Sequence, residues 1–141
     1  MERSDVLYQQ YIAILKEELR PAMGCTEPIA LAYAGALARR LLGAEPEKVL
    51  VAVSGNIIKN VKSVIVPATG GKHGIEAAIA AGLVSCRPDK KLEVLTVLTS
   101  KDEPEIERVM SECKISINKI NGSCSFELPL TGSRLASMLG I

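Results

Sequence analysis

Lys48-Val49-Leu50-Val51-Ala52-Val53, running into Ser54-Gly55-Asn56, is the stretch that decides the fold class. Six residues rich in β-branched side chains and closed by turn formers read as one strand. On its N-terminal side the pattern is helical. Ala30, Ala32, Ala34, Gly35, Ala36 and Ala38 offer small residues for close approach, Leu31, Leu37, Leu41 and Leu42 add bulk, and Gly43 supplies a stop. A strand beside a helix of that kind predicts an α+β chain: a mixed sheet packed with Ala/Gly-rich helices in a single domain.

Further upstream, Val6, Tyr8, Tyr11, Ile12, Ile14, Leu15 and Leu19 recur at helical spacing, with Lys16, Glu17 and Glu18 on the other face, so residues 5–19 read as an amphipathic helix. Pro21 ends it, because the residue before a proline is pushed out of the helical region. The chain then crosses Gly24-Cys25 and re-enters a helix, with Thr26 or Cys25 as its cap, Glu27 at the favourable end of the dipole and Pro28 in the first turn. A thiol at that place can have its thiolate form favoured, which makes Cys25 a candidate nucleophile or base. A free cysteine is more often simply packed.

Downstream, Ile57 to Lys62 carries Lys59 and Asn60 towards the same polar region as Ser54 and Asn56. Val64-Ile65-Val66 reads as a second short strand, and Pro67-Ala68-Thr69-Gly70-Gly71-Lys72-His73-Gly74 is a glycine-rich loop feeding a helix over 75–84. Such a loop can cradle an anion, but the spacing is not that of a Walker A motif. Residues 91–98 read as a half-buried strand and 101–112 as a helix. Residues 114–120 and 123–128, joined by Asn121-Gly122, read as a C-terminal β-hairpin. No periodicity is long enough to assign the tail from Thr131.

Composition removes several classes. The chain has 141 residues, 48% hydrophobic but only 3% aromatic, so aliphatic side chains must fill its core. Its formal charge is +1 with basic residues dispersed, which leaves no footprint for nucleic acid. No apolar run reaches spanning length and no leader pattern opens the chain, so a cytoplasmic protein without a membrane partner is expected. The cysteines at 25, 86, 113 and 124 lack paired metal-site spacing and read as thiols. His73 is the single histidine and reads as a solvated loop residue.

Taken as a set, Pro21 to Pro28, Ser54 to Asn60 and Val66 to Gly71 resemble the L-cysteine desulfidase family, relatives of the alpha chain of iron-sulfur L-serine dehydratase and of the UPF0597 type. The resemblance covers roughly residues 10–130 and makes 1–130 the N-terminal, desulfidase-like domain of such a protein, with 131–141 a tail outside the pattern. It implies a lyase of amino-acid catabolism that converts L-cysteine to sulfide, ammonia and pyruvate with a [4Fe-4S] cluster. Cys25 matches the motif cysteine proposed as catalytic base. Ser54, Asn56, Lys59, Asn60, Thr69 and Gly70 would line the pocket for the small amino-acid substrate. Cys86, Cys113 and Cys124 match no cluster ligand, so no metal ligand is assigned in this chain, and the half expected to carry the cluster is absent. The expectation is therefore a fragment, a split subunit needing a second chain, or a degraded relative, in a homo-oligomeric family. Dehydration of L-serine, a pyridoxal phosphate enzyme using Lys59, and a non-catalytic interaction module are the alternatives.

Overall fold

The computed structural model describes residues 2–19, 24–121, 126–128 and 136–138. Their elements are α1 (Val6–Glu18), α2 (Thr26–Leu42), β1 (Lys48–Ser54), α3 (Gly55–Val61), α4 (Ile75–Ser85), α5 (Glu103–Glu112), β2 (Lys114–Ile120), β3 (Phe126–Leu128) and β4 (Ala136–Met138), with 3-10 turns at Pro88–Glu93 and Ser100–Asp102. The mixed α+β class expected from the sequence is what the molecule has.

At the centre lies the helix pair α2 and α4, which make the most extensive contact in the structure. Their alanines other than the half-buried Ala30 are buried, and two glycines set the spacing. A Cβ on Gly82 would lie 1.9 Å from the Ala32 carbonyl oxygen, and one on Gly35 would lie 2.8 Å from that of Ile79. The backbones therefore touch, which larger side chains would forbid. β1 packs into this core with Val49, Val51 and Val53 buried on one side and Ala52 and Ser54 also buried. A strand covered on both faces suits parallel pairing, and β1 pairs in parallel with β2, Lys48 opposite Lys114 through Ser54 opposite Ile120. The connection between them, through α3, α4 and α5, supplies the long crossover that parallel strands require.

Three sequence expectations are corrected here. Residues 114–120 do form a strand, but among the described residues it does not pair with the following one as a hairpin. β2 takes β1 as its partner, and β3 pairs antiparallel with β4, Phe126 opposite Met138. Alternating polarity reports a half-covered face and is silent about which edge is taken. Gly122 of the expected turn and Ser123 to Ser125, the start of its expected second strand, lie outside the described residues.

Residues 91–98 are not a strand. Val94, Leu95 and Leu98 are the buried positions, a spacing of one turn of helix, and the chain there winds through 3-10 and turn geometry after Pro88. The Ser85 hydroxyl donates to the Val94 carbonyl at 2.7 Å and ties the segment to α4. Val64 to Val66 is likewise no strand but one end of a loop. Ile65 makes a single antiparallel bridge with His73, and the Val66 amide donates to the Lys72 carbonyl at 2.9 Å.

The first helix forms as expected but packs differently. No residue of α1 is buried, and Val6, Tyr11, Ile14 and Leu19 are each more than half exposed. Among the described residues, no helix is long and apolar enough to cross a membrane.

Candidate functional site

Cys25 is the N-cap residue of α2, at φ −59° and ψ 127°, with Thr26 and Glu27 opening the helix and Gly43 closing it in the left-handed region at φ 70°. Its side chain makes no capping bond. The thiol instead donates to the Glu27 carboxylate, Sγ to Oε2, at 2.8 Å. The other oxygen of that carboxylate, Oε1, accepts from Asn60 Nδ2 at 3.5 Å. Asn60 arrives from α3, and α3 exists because Ser54 at the end of β1 caps it, accepting from the Ile57 amide at 3.5 Å. Strand, cap and short helix thus carry the second polar segment to the first.

The third segment adjoins them. A Cβ on Gly24 would meet Pro67 Cγ at 4.0 Å, so the loop from Pro67 to Gly74 begins beside Cys25. Thr69, fully buried, holds that loop closed. Its hydroxyl donates to the Val66 carbonyl at 2.7 Å, with the Lys72 carbonyl 3.2 Å away. Gly70 lies against the Glu103 carboxylate at the start of α5. Of the residues expected to line a pocket, the structure brings Asn60 to Glu27, the partner of the Cys25 thiol. Ser54 and Thr69 are buried in hydrogen bonds that hold backbone, and Asn56, Lys59 and Gly70 are exposed.

From the sequence Glu27 is expected only to face the helix dipole, whereas its carboxylate is the immediate partner of the thiol. The sequence carries a signal for this: a cap residue and the second helical residue lie within one turn, so a Cys-x-Glu string at a helix start can fold back on itself.

That contact reverses the electrostatic expectation for Cys25. The hydrogen bond from thiol to Glu27 holds the proton on sulfur, desolvation adds to it, and the carboxylate charge acts in the same direction, so the thiol is pushed above its ordinary range. Glu27 moves the opposite way, lowered first by the bond from Cys25 and also by those from Asn60 and Thr26. At neutral pH the pair is a thiol beside a carboxylate, and the helix dipole does not prevail at the sulfur.

A separate open cavity of about 440 Å³ lies between α3, the glycine loop, α4 and β2, lined by Ile58, Lys62, His73, Gly74, Ile75, Glu76 and Ile117. It shares no lining residue with the Cys25 cluster. The remaining described thiols are dispersed: Cys86 is half-buried and Cys113 buried, and Cys124 lies outside the described residues. Among the described residues no three His, Cys, Asp or Glu side chains form a group able to hold a metal. The described part of the chain therefore does not fit an iron-sulfur cluster by itself.

The chain is 52% identical over 131 residues to a UPF0597 protein of Desulfitobacterium hafniense, a match covering 93% of this chain and 30% of that protein. It is 42% identical over 125 residues to a UPF0597 protein of Treponema denticola, with 89% and 29% covered. A UPF0597 protein of Shewanella baltica is 46% identical over 112 residues, with 79% and 26% covered. The chain spans about three-tenths of the length of the first two relatives. No family model and no solved structure matches it.

Proposed function

We propose, from the premise that this chain is homologous to UPF0597 proteins over most of its length, that it is the thiol-bearing portion of an L-cysteine desulfidase-like lyase. The overall reaction would convert L-cysteine to sulfide, ammonia and pyruvate. The observation that carries the reading is the meeting of Cys25, Glu27 and Asn60 at the start of α2, on an exposed surface that a small amino acid can reach. In this reading the Cys25 sulfur, once ionised, removes the α-proton, and Glu27 holds and orients that sulfur. Loss of the α-proton and of the β-substituent leaves an aminoacrylate, which water converts to pyruvate and ammonia. No step is assigned to a cluster, because the described donor set does not fit one.

The polar groups here do not distinguish a thiol from a hydroxyl on the substrate, so dehydration of L-serine is the second reading on the same residues. The test is a chimera in which this chain replaces the aligned 131 residues of the Desulfitobacterium hafniense protein. Sulfide and pyruvate are followed anaerobically with each amino acid. We expect both products from L-cysteine and their loss in Cys25→Ala. Pyruvate from L-serine alone would select the dehydratase, and no product from either amino acid would sink the lyase reading.

A further inference from the structure

The pattern of α1 is that of a helix with one covered face, and among the described residues nothing covers it. Leu7, Tyr11, Ile14 and Leu15 follow one another at the spacing of a single helix face, which the half-buried Tyr8 and Ile12 widen. Gln9, Gln10, Lys16 and Glu17 fall outside it. Yet Leu7 and Leu15 are close to half exposed, Tyr11 and Ile14 are more so, and α1 has no substantial contact with any other element. The core closes without it, through α2, α4 and β1. A helix of 13 residues is marginal by itself in water, because most helical stability comes from packing an apolar face against something else.

The match to the Desulfitobacterium hafniense protein says where that something lies. It takes in 131 residues, 93% of this chain. Even if every unmatched residue stood at the start of the chain, Tyr11 to Glu18 would fall inside the match. The same match covers 30% of the relative, so about seven-tenths of that protein is polypeptide to which nothing here is aligned. The helix thus belongs to a portion that, in the relative, is joined to a much longer stretch of chain. Its size fits an internal seam better than a pairing of two copies. A 13-residue helix is about 20 Å long, and its one face set against its own copy falls short of the roughly 1,200 Å² that a stable interface buries. Covalent joining removes that requirement, because the effective concentration of a linked partner is high.

We propose that the apolar face of α1 is the surface by which this portion docks onto the remainder of a UPF0597-length protein, against an apolar helix or sheet face in the polypeptide outside the matched residues. The inference goes beyond the lyase reading and does not rest on it. It gives α1 a purpose that its absence from the core leaves open: the helix holds two parts of a longer protein together and leaves the stability of its own part nearly untouched.

The test reads accessibility and not turnover. Ile14→Cys, on the apolar face, and Lys16→Cys, outside it, are each made in this chain and in the chimera with the Desulfitobacterium hafniense protein described above. Alkylation by iodoacetamide is followed at the α1 peptide by mass spectrometry across a wide range of protein concentration. In this chain alone we expect both introduced thiols to label at the rate of an open thiol. In the chimera Ile14→Cys should label about tenfold more slowly or less, at every concentration, and Lys16→Cys should label as before. Cys placed at the position aligned with Ile14 in the intact Desulfitobacterium hafniense protein gives the same reading should the chimera not fold. Equal labelling of Ile14→Cys with and without the remainder would overturn the proposal. Protection that fades on dilution, in either protein, would overturn it by making a second copy the occupant. Protection of this chain alone that does not depend on concentration would overturn it by seating α1 on its own core. Failure of the chimera to make sulfide or pyruvate would count against the lyase reading alone, since labelling needs no turnover.

Discussion

Cys25 and Cys113 are both thiols pushed above their ordinary range, for different physical reasons. At Cys25 the dominant cause is a hydrogen bond to a carboxylate, and at Cys113 it is burial, with the Glu45 charge adding to it. A thiol raised in the folded state and ordinary in the unfolded chain contributes its full stability below about pH 8.5 and loses it as the pH climbs towards the folded value. Stability should therefore fall with pH in the alkaline range, and Cys113→Ala should flatten part of that slope in urea titrations at pH 7 to 10. Below pH 8, Cys113 should alkylate only after urea unfolds the chain. Alkylation of the native protein at a rate matching Cys25 would show that its burial is misassigned.

Thr69 illustrates what a sequence cannot say of a single residue. In a glycine-rich loop its hydroxyl is an obvious candidate for a ligand contact, yet the structure spends it on the Val66 carbonyl inside the protein. Replacing it with valine leaves the shape and strands the carbonyl, so Thr69→Val should cost about 1–2 kcal/mol in urea unfolding. A neutral substitution would mean that the loop closes without it. Asn60 and Glu27 show the converse, since 33 positions separate them and no local pattern announces their contact.

At the scale of the element, the legible parts were those whose covering is set locally. The small-residue face of α2, its glycine stop and the β-branched run of β1 each follow from nearest neighbours in the sequence. The partner of β2 did not, because the alternation Ile115, Ile117 is the same whichever strand lies beside it. Residues 91–98 failed for a related reason: two apolar residues in a row at Val94-Leu95 break the strand alternation, and the burial of Leu98 completes a helical turn. Of the three polar segments, their order was legible and their meeting was not.

The contact between α2 and α4 gives the sharpest prediction at this scale. Gly82→Ala gains about 1 kcal/mol of helix propensity. The new methyl would, however, stand 1.9 Å from a backbone oxygen of α2, which cannot rotate aside as a side chain can. The clash prevails, and the variant should lose about 3 kcal/mol or more as the two helices are levered apart. Thermal unfolding measures it, and a stabilised variant would refute the close approach.

Over the whole molecule, apolar burial is unevenly shared. α2, α4 and β1 hold most of the core, and α1 holds none of it despite its apolar residues. Removal of residues 2–19 should therefore change the urea unfolding free energy of the rest by less than about 1 kcal/mol, because exposed side chains contribute little. It should also leave the denaturant slope nearly intact, since that slope follows the area exposed on unfolding. A large loss in either quantity would mean that α1 is seated on the core in solution.

The parallel register of β1 against β2 has a consequence in time. During synthesis the strand that begins at Lys48 must wait for the one that begins at Lys114, and at about 5–20 residues per second that interval lasts roughly 3–13 s. Through those seconds Val49, Val51 and Val53 have α2 beside them in sequence but no strand to complete their ladder. A ribosome stalled between the two strands would hold a nascent chain with a bare apolar edge, the kind of segment that chaperones bind.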